Sequence, residues 1–80
     1  MADKHTINGS DRWADVTPSD TVNLPEVPRA IHIGVAGNVV LVGSDGTACT
    51  FAVNAGQTYP YQPVRINSTS TTATGIKALY

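Results

Sequence analysis

From Ala30 onward the chain alternates. Ala30–Val35 sets Ile31, Ile33 and Val35 on one face and Ala30, His32 and Gly34 on the other, the period of a half-buried strand. Ala36-Gly37-Asn38 then makes a short turn. Val39–Val42 (VVLV) is apolar on both faces, so this second strand is buried on both sides or meets a partner with one of them. Gly43-Ser44-Asp45-Gly46 reads as a hairpin loop. Thr47–Val53 returns as a third strand, with Thr47, Cys49, Phe51 and Val53 on one face and Ala48, Thr50 and Ala52 on the other. Asn54-Ala55-Gly56-Gln57 turns the chain again. Tyr59-Pro60-Tyr61-Gln62-Pro63 lacks two ladder donors and cannot be a regular central strand. Val64–Asn67 follows with Val64 and Ile66 inward, then the polar loop Ser68–Thr74 ending in Gly75. Ile76–Tyr80 is the last strand, with Ile76, Ala78 and Tyr80 on one face and Lys77 and Leu79 on the other.

The segment before this is different. Pro18, Pro25 and Pro28 exclude a helix and any central strand position between Val16 and Ala30, which leaves Thr21–Leu24 as a short edge strand at most. Residues 1–14 show no sustained period and hold Asp3, Lys4, Asp11 and Arg12, with Asp15 just beyond. They read as an arm, extended or unfolded until docked, followed by a single β-domain over residues 15–80. Trp13 is the large aromatic of that arm, and two readings stand for it: an anchor on this chain's own core, or a plug in a neighbouring subunit. No segment carries a 3.6-residue period, and there is no internal repeat. Five or six short strands spaced by turns imply an all-β fold. The expected architecture is a small antiparallel barrel or sandwich, jelly-roll-like, with an extended N-terminal arm. Prolines protect its N-terminal edge. Nothing comparable protects Ile76–Tyr80, which is expected to pair with the chain's own first strand or with a neighbour.

Charge changes the picture. The 35 residues between Arg29 and Arg65 hold one formal charge, Asp45, where an ordinary soluble domain is about a quarter charged. An 80-residue β-domain has too little interior to hide such a stretch, so part of it is surface. A surface without charge is a Thr/Asn/Gln-rich solvated face or a face covered by other chains. Small domains commonly need a disulfide, a metal or oligomerisation. Cys49 has no partner cysteine, and His5, His32 and Cys49 are scattered without the spacing of a metal site, which leaves oligomerisation.

The same totals exclude several function classes. Net charge is −1, with five basic and six acidic residues and no basic cluster, so nucleic acid is not an expected partner. No apolar run of about 18 residues and no leader suggests a membrane. Catalysis needs convergent titratable groups, and the charge-poor stretch has almost none. His32 beside Ala30 and Gly34 reads as a structural or interface residue. Cys49 beside Phe51 reads as a small buried hydrophobe. Ser68–Thr74 offers hydroxyls without a base to activate them. No catalytic residue, cofactor or metal is therefore expected. Tyr59 and Tyr61, flanking a proline, suit either sugar stacking or packing at a subunit contact.

From Val16 onward the chain resembles the spike base proteins of gene transfer agents and related tailed phages. The matching pieces are Val16-Thr17-Pro18-Ser19-Asp20, Leu24-Pro25, Arg29-Ala30-Ile31-His32-Ile33-Gly34 and Ala36-Gly37-Asn38. After the hairpin come Asn54-Ala55-Gly56, Pro63-Val64-Arg65-Ile66 and the closing Thr71-Thr72-Ala73-Thr74-Gly75-Ile76-Lys77-Ala78-Leu79-Tyr80. This resemblance implies a β-rich protomer without enzymatic activity. It implies a homo-oligomeric, pentameric ring that seats a spike or fibre on the capsid at fivefold vertices. Its partners would be copies of itself, the major capsid protein and the spike or fibre protein. Such a protein is made in the host cytoplasm and resides in the virion.

Together these readings name the expected contact residues: Trp13, Val40, Val42, Tyr59, Tyr61, Leu79 and Tyr80. The strands Val39–Val42 and Ile76–Tyr80 are expected to carry inter-subunit contacts, with Arg12, Arg29 and Arg65 pairing across the seams. Rival readings are a capsid decoration protein on threefold axes, and a tail- or fibre-associated module binding host glycans through Tyr59 and Tyr61.

Overall fold

The computed structural model describes residues 11–80. Seven strands follow one another: β1 (Trp13–Asp15), β2 (Ala30–His32), β3 (Gly37–Val42), β4 (Ala48–Val53), β5 (Thr58–Tyr59), β6 (Arg65–Asn67) and β7 (Lys77–Leu79). No helix occurs among the described residues. The strands make two antiparallel sheets, a four-stranded one in the order β1-β7-β2-β5 and a three-stranded one in the order β4-β3-β6. The all-β class expected from the alternation is what the chain adopts, as a sandwich-like pair of sheets.

The β3–β4 hairpin forms where the turn residues lie. Gly43 N–H donates to the Thr47 carbonyl (2.9 Å) and Gly46 N–H to the Gly43 carbonyl (3.0 Å). Gly46 has φ +84°, which a β-carbon disfavours. Asp45, the isolated charge of the middle stretch, serves this turn. Its carboxylate accepts the Thr47 N–H (3.0 Å), and that bond holds its pKa below the ordinary carboxylate range.

The inward residues of both sheets meet in one core of Ile31, Ile33, Val39, Leu41, Val53, Ile66, Ala73 and Ile76. Val16, Phe51, Tyr59 and Tyr61 pack against its rim. Ile31, Ile33, Phe51 and Val53 lie on the faces that the alternation assigns to the core. Val64, also expected inward, is half-buried.

Two residues depart from that alternation. Val35 is 55% exposed, because β2 ends at His32 and the chain then turns. Gly34 donates to the Gly75 carbonyl (3.1 Å), and a β-carbon on either glycine would stand 3.1 Å from the other's backbone. Past that crossing Val35 bridges Thr74 with its side chain outward. Cys49 is exposed, not the buried hydrophobe expected. It shares the core face of β4 but is the second residue of that strand and lines an open groove with Phe51 and Tyr61.

The last strand pairs with the chain's own first strand, one of the two outcomes expected for it. β7 is not an edge: it pairs with β1 on one side and β2 on the other. The expected arm boundary after residue 14 falls inside β1. Thr21–Leu24 forms no strand. Residues 17–24 instead make a strap along β6, where Ser19 N–H bonds to the Ile66 carbonyl and Leu24 N–H to the Val64 carbonyl (both 2.8 Å). The Asp20 carboxylate fixes the strap by accepting both the N–H (2.9 Å) and the hydroxyl of Thr69. These bonds, led by the one from the hydroxyl, depress its pKa.

Candidate assembly surface

The register of the four-stranded sheet sorts its outer face into two rows. Trp13 stands opposite Leu79, and Leu79 opposite Ala30. In the next row Asp15 stands opposite Lys77, Lys77 opposite His32, and His32 opposite Thr58. Residues directly opposed across an antiparallel pair share a face. The first row is apolar, and Trp13 is 67% exposed. The second satisfies itself: the Lys77 ammonium pairs with Asp15, and His32 Nδ1 lies 2.9 Å from the Thr58 hydroxyl. This face therefore offers an aromatic and a leucine beside charges that are already matched.

At the end of the apolar row, Tyr80 and Arg12 are tied together. Tyr80 N–H donates to the Arg12 carbonyl (2.8 Å), and the Arg12 guanidinium lies 5.2 Å from the Tyr80 ring centre. The guanidinium also pairs with Glu26 at 2.9 Å, a bond that raises its already high pKa.

A second surface opens on the opposite side of the sandwich, where β4 stands near β5. Tyr59 and Tyr61 stack with centroids 5.5 Å apart and planes 3° from parallel. Phe51 of β4 meets Tyr61 at 4.6 Å. Tyr59 Oη accepts the Asn54 N–H at the end of β4 (2.8 Å). Beside this stack runs an open apolar groove of about 450 Å³ between β4 and residues 60–63, with Leu41, Cys49, Phe51 and Tyr61 in its walls. The two tyrosines are thus brought together, but each spends a ring face on its neighbour and offers less of the bare platform on which a sugar stacks.

Among the described residues no three His, Cys, Asp or Glu side chains come close enough to hold a metal ion. His5 lies outside the described residues.

No family model matches the chain, and no curated protein does. Among solved structures it is similar to a chain of the capsid of a native GTA particle computed with C5 symmetry. That likeness has 37% sequence identity and a TM-score of 0.85, and covers 89% of this chain and 83% of the other. Identity and coverage of this size indicate kinship and not merely a shared fold. The protein belongs to that family of GTA capsid components.

Within this GTA capsid family member, the residues expected at contacts divide. Trp13, Leu79 and Tyr80 lie together along one flank, and Tyr59 and Tyr61 along the other. Val40 and Val42 are buried within the protomer, 8% and 3% exposed. They face away from the main core, where Val42 is flanked by Arg65 and Ala48 and Val40 by Asn67 and Thr50. The Arg65 side chain is laid down there by bonds to Asn67 Oδ1 (2.9 Å) and Asn23 Oδ1 (3.2 Å). Long side chains cover apolar neighbours in this way. Arg12 and Arg65, expected to pair across subunit seams, are thus engaged within the chain. β7, placed mid-sheet, has no free edge to offer.

Sequence reasoning passed over the free edge of β4. Among the described residues this strand pairs with β3 on one side only, and Ala48, Cys49, Thr50 and Ala52 are all exposed. The signal was present as six consecutive residues, ACTFAV, without charge, proline or glycine.

Proposed function

We propose that this protein is a structural virion component: a homo-oligomeric base that seats a spike or fibre on the capsid at fivefold vertices. Its kinship with a GTA capsid component over 89% of the chain carries this reading. Its action is contact, not catalysis. The surfaces agree with that role, because a ring subunit must meet two neighbours, the shell and the fibre. The chain is short of charge, and it displays one apolar flank around Trp13 and another around the β4 groove. A ring with an odd number of subunits must join unlike patches, since only a twofold contact joins like with like. Two unlike flanks on opposite sides of one protomer meet that requirement. The partners are copies of itself, the major capsid protein and a spike or fibre protein, with no role for nucleic acid or membrane. Synthesis is in the host cytoplasm, and the working location is the virion.

Native mass measurement of the full chain tests this reading. A pentamer is expected at about 100 µM, where a contact of micromolar Kd is fully formed. A monomer at that concentration rejects the self-assembling ring. A trimer moves the protein to the decoration role.

A further inference from the structure

We infer that the ring is joined by strand addition: the free edge of β1 in one copy pairs with the free edge of β4 in the next, laying Trp13 over the small side chains of β4. This inference rests on the ring proposed above and specifies its joint.

Each sheet has two edges, and two of the four are closed within the chain. The outer edge of β6 is covered by the strap, through the bonds from Ser19 and Leu24. β5 is only two residues long and is followed by Pro60, a form of edge that resists pairing. β1 and β4 remain, each bonded to another strand on one side only among the described residues. They also lie on opposite flanks. β1 is at the far edge of its sheet from β5, whereas β4 stands over the β5 side through Asn54–Tyr59 and Phe51–Tyr61. A joint from β1 to β4 therefore runs head to tail and leaves the same two edges for the next copy.

The hydrogen-bond parity fits side chain to side chain. Val16 N–H and the Arg12 carbonyl bond toward β7, so by alternation the main-chain groups of Trp13 and Asp15 point outward. The Thr47 carbonyl bonds toward β3, so those of Ala48, Thr50 and Ala52 point outward. Antiparallel pairing opposes these two sets and places their side chains on one face. There Trp13, 67% exposed, meets Ala48, Thr50 and Ala52, all exposed and small. The charges match as well. β4 carries none, and the Asp15 carboxylate beside Trp13 is already paired with Lys77, so the joint buries no unmatched charge.

The protomer has surface enough for two contacts of ordinary size. A stable contact takes about 800 Å² from each partner, roughly a sixth of the 4973 Å² this protomer exposes. Opposite flanks let one copy give that area twice. A second copy is also the occupant that presents both edges at equal concentration, as head-to-tail closure requires.

The test compares native masses of the wild type, Thr50→Pro and Thr50→Lys, with oxidation of Ala14→Cys. Thr50 N–H points away from β3, so either change closes the β4 edge while leaving the hairpin bonds in place. Both variants are expected to keep the wild-type circular dichroism and to need at least tenfold more protein to assemble. If Thr50→Pro does not fold, Thr50→Lys decides. Ala14 falls in the non-bonded position of the new pair, facing native Cys49, and is expected to give a disulfide ladder that ends at the ring mass. A wild-type ring that Thr50→Lys leaves intact overturns the joint and spares the ring. Disulfide dimers of the wild type through Cys49 alone overturn the joint in favour of β4 against β4. A monomeric wild type removes the ring itself.

Discussion

A β-carbon on Gly37 would stand 2.6 Å from the amide nitrogen of Ala73. The closeness is built in, because the Asn38 carbonyl accepts N–H bonds from both Thr72 (2.8 Å) and Ala73 (3.1 Å). The Thr72 hydroxyl also accepts the Asn38 N–H (2.9 Å). The neighbour is backbone inside a bonded loop and cannot yield cheaply. Gly37→Ala is expected to cost about 1–3 kcal/mol, the range for overpacking. Urea denaturation should show a lower midpoint with an unchanged slope. A midpoint equal to wild type would mean the loop shifts freely.

Asp20 predicts a dependence on acid. Bonds from Thr69 hold its folded pKa below the unfolded value, so folding favours the ionised form. That contribution is present above about pH 4, the unfolded value, and is lost as pH falls through the lower folded value. Wild type should melt above Asp20→Asn at pH 7, and the gap should close toward pH 2. A gap that stays constant with pH would show that the carboxylate charge is irrelevant to the strap.

The aromatic stack predicts an order of effects. Tyr59→Phe removes the acceptor of the Asn54 N–H and keeps the ring, a loss of about 1 kcal/mol. Tyr61→Ala removes the ring that touches both Phe51 and Tyr59, a loss of about 2 kcal/mol or more. Thermal or chemical denaturation should rank them so. The reverse ranking would place the hydrogen bond, not the stack, at the centre of this flank.

Trp13 is the chain's one tryptophan, so its fluorescence reports directly on its surroundings. In the dilute protomer its emission should be that of a wet indole, open to acrylamide. As concentration rises through assembly, emission should shift to the blue and quenching should fall. Trp13→Ala should change the protomer's stability by no more than about 0.5 kcal/mol while raising the assembly midpoint. Emission that is blue at every concentration would place the ring in its own chain's core.

Much of the fold was legible because the alternation of Ile31, Ile33, Phe51 and Val53 reports a face, and faces are local. The hairpin was legible because Gly43, Asp45 and Gly46 are turn chemistry. What failed was non-local. Val35 keeps its parity but lies past the Gly34–Gly75 crossing, which depends on residues 41 positions apart. Val40 and Val42 looked surplus to a small interior because nothing in VVLV announces that Arg65, held by Asn67 and Asn23, will lie beside them. Of the contact surface, the aromatic members stood out by residue type. The β4 edge did not, since an edge is defined by the strand that is missing beside it.

The central place of β7 has a consequence for synthesis. Residues 13–15 leave the ribosome well before residues 77–79, which form the strand they pair with among the described residues. The four-stranded sheet cannot close until nearly all of these residues have emerged. A growing chain therefore presents no finished β1 until residues 77–79 are out.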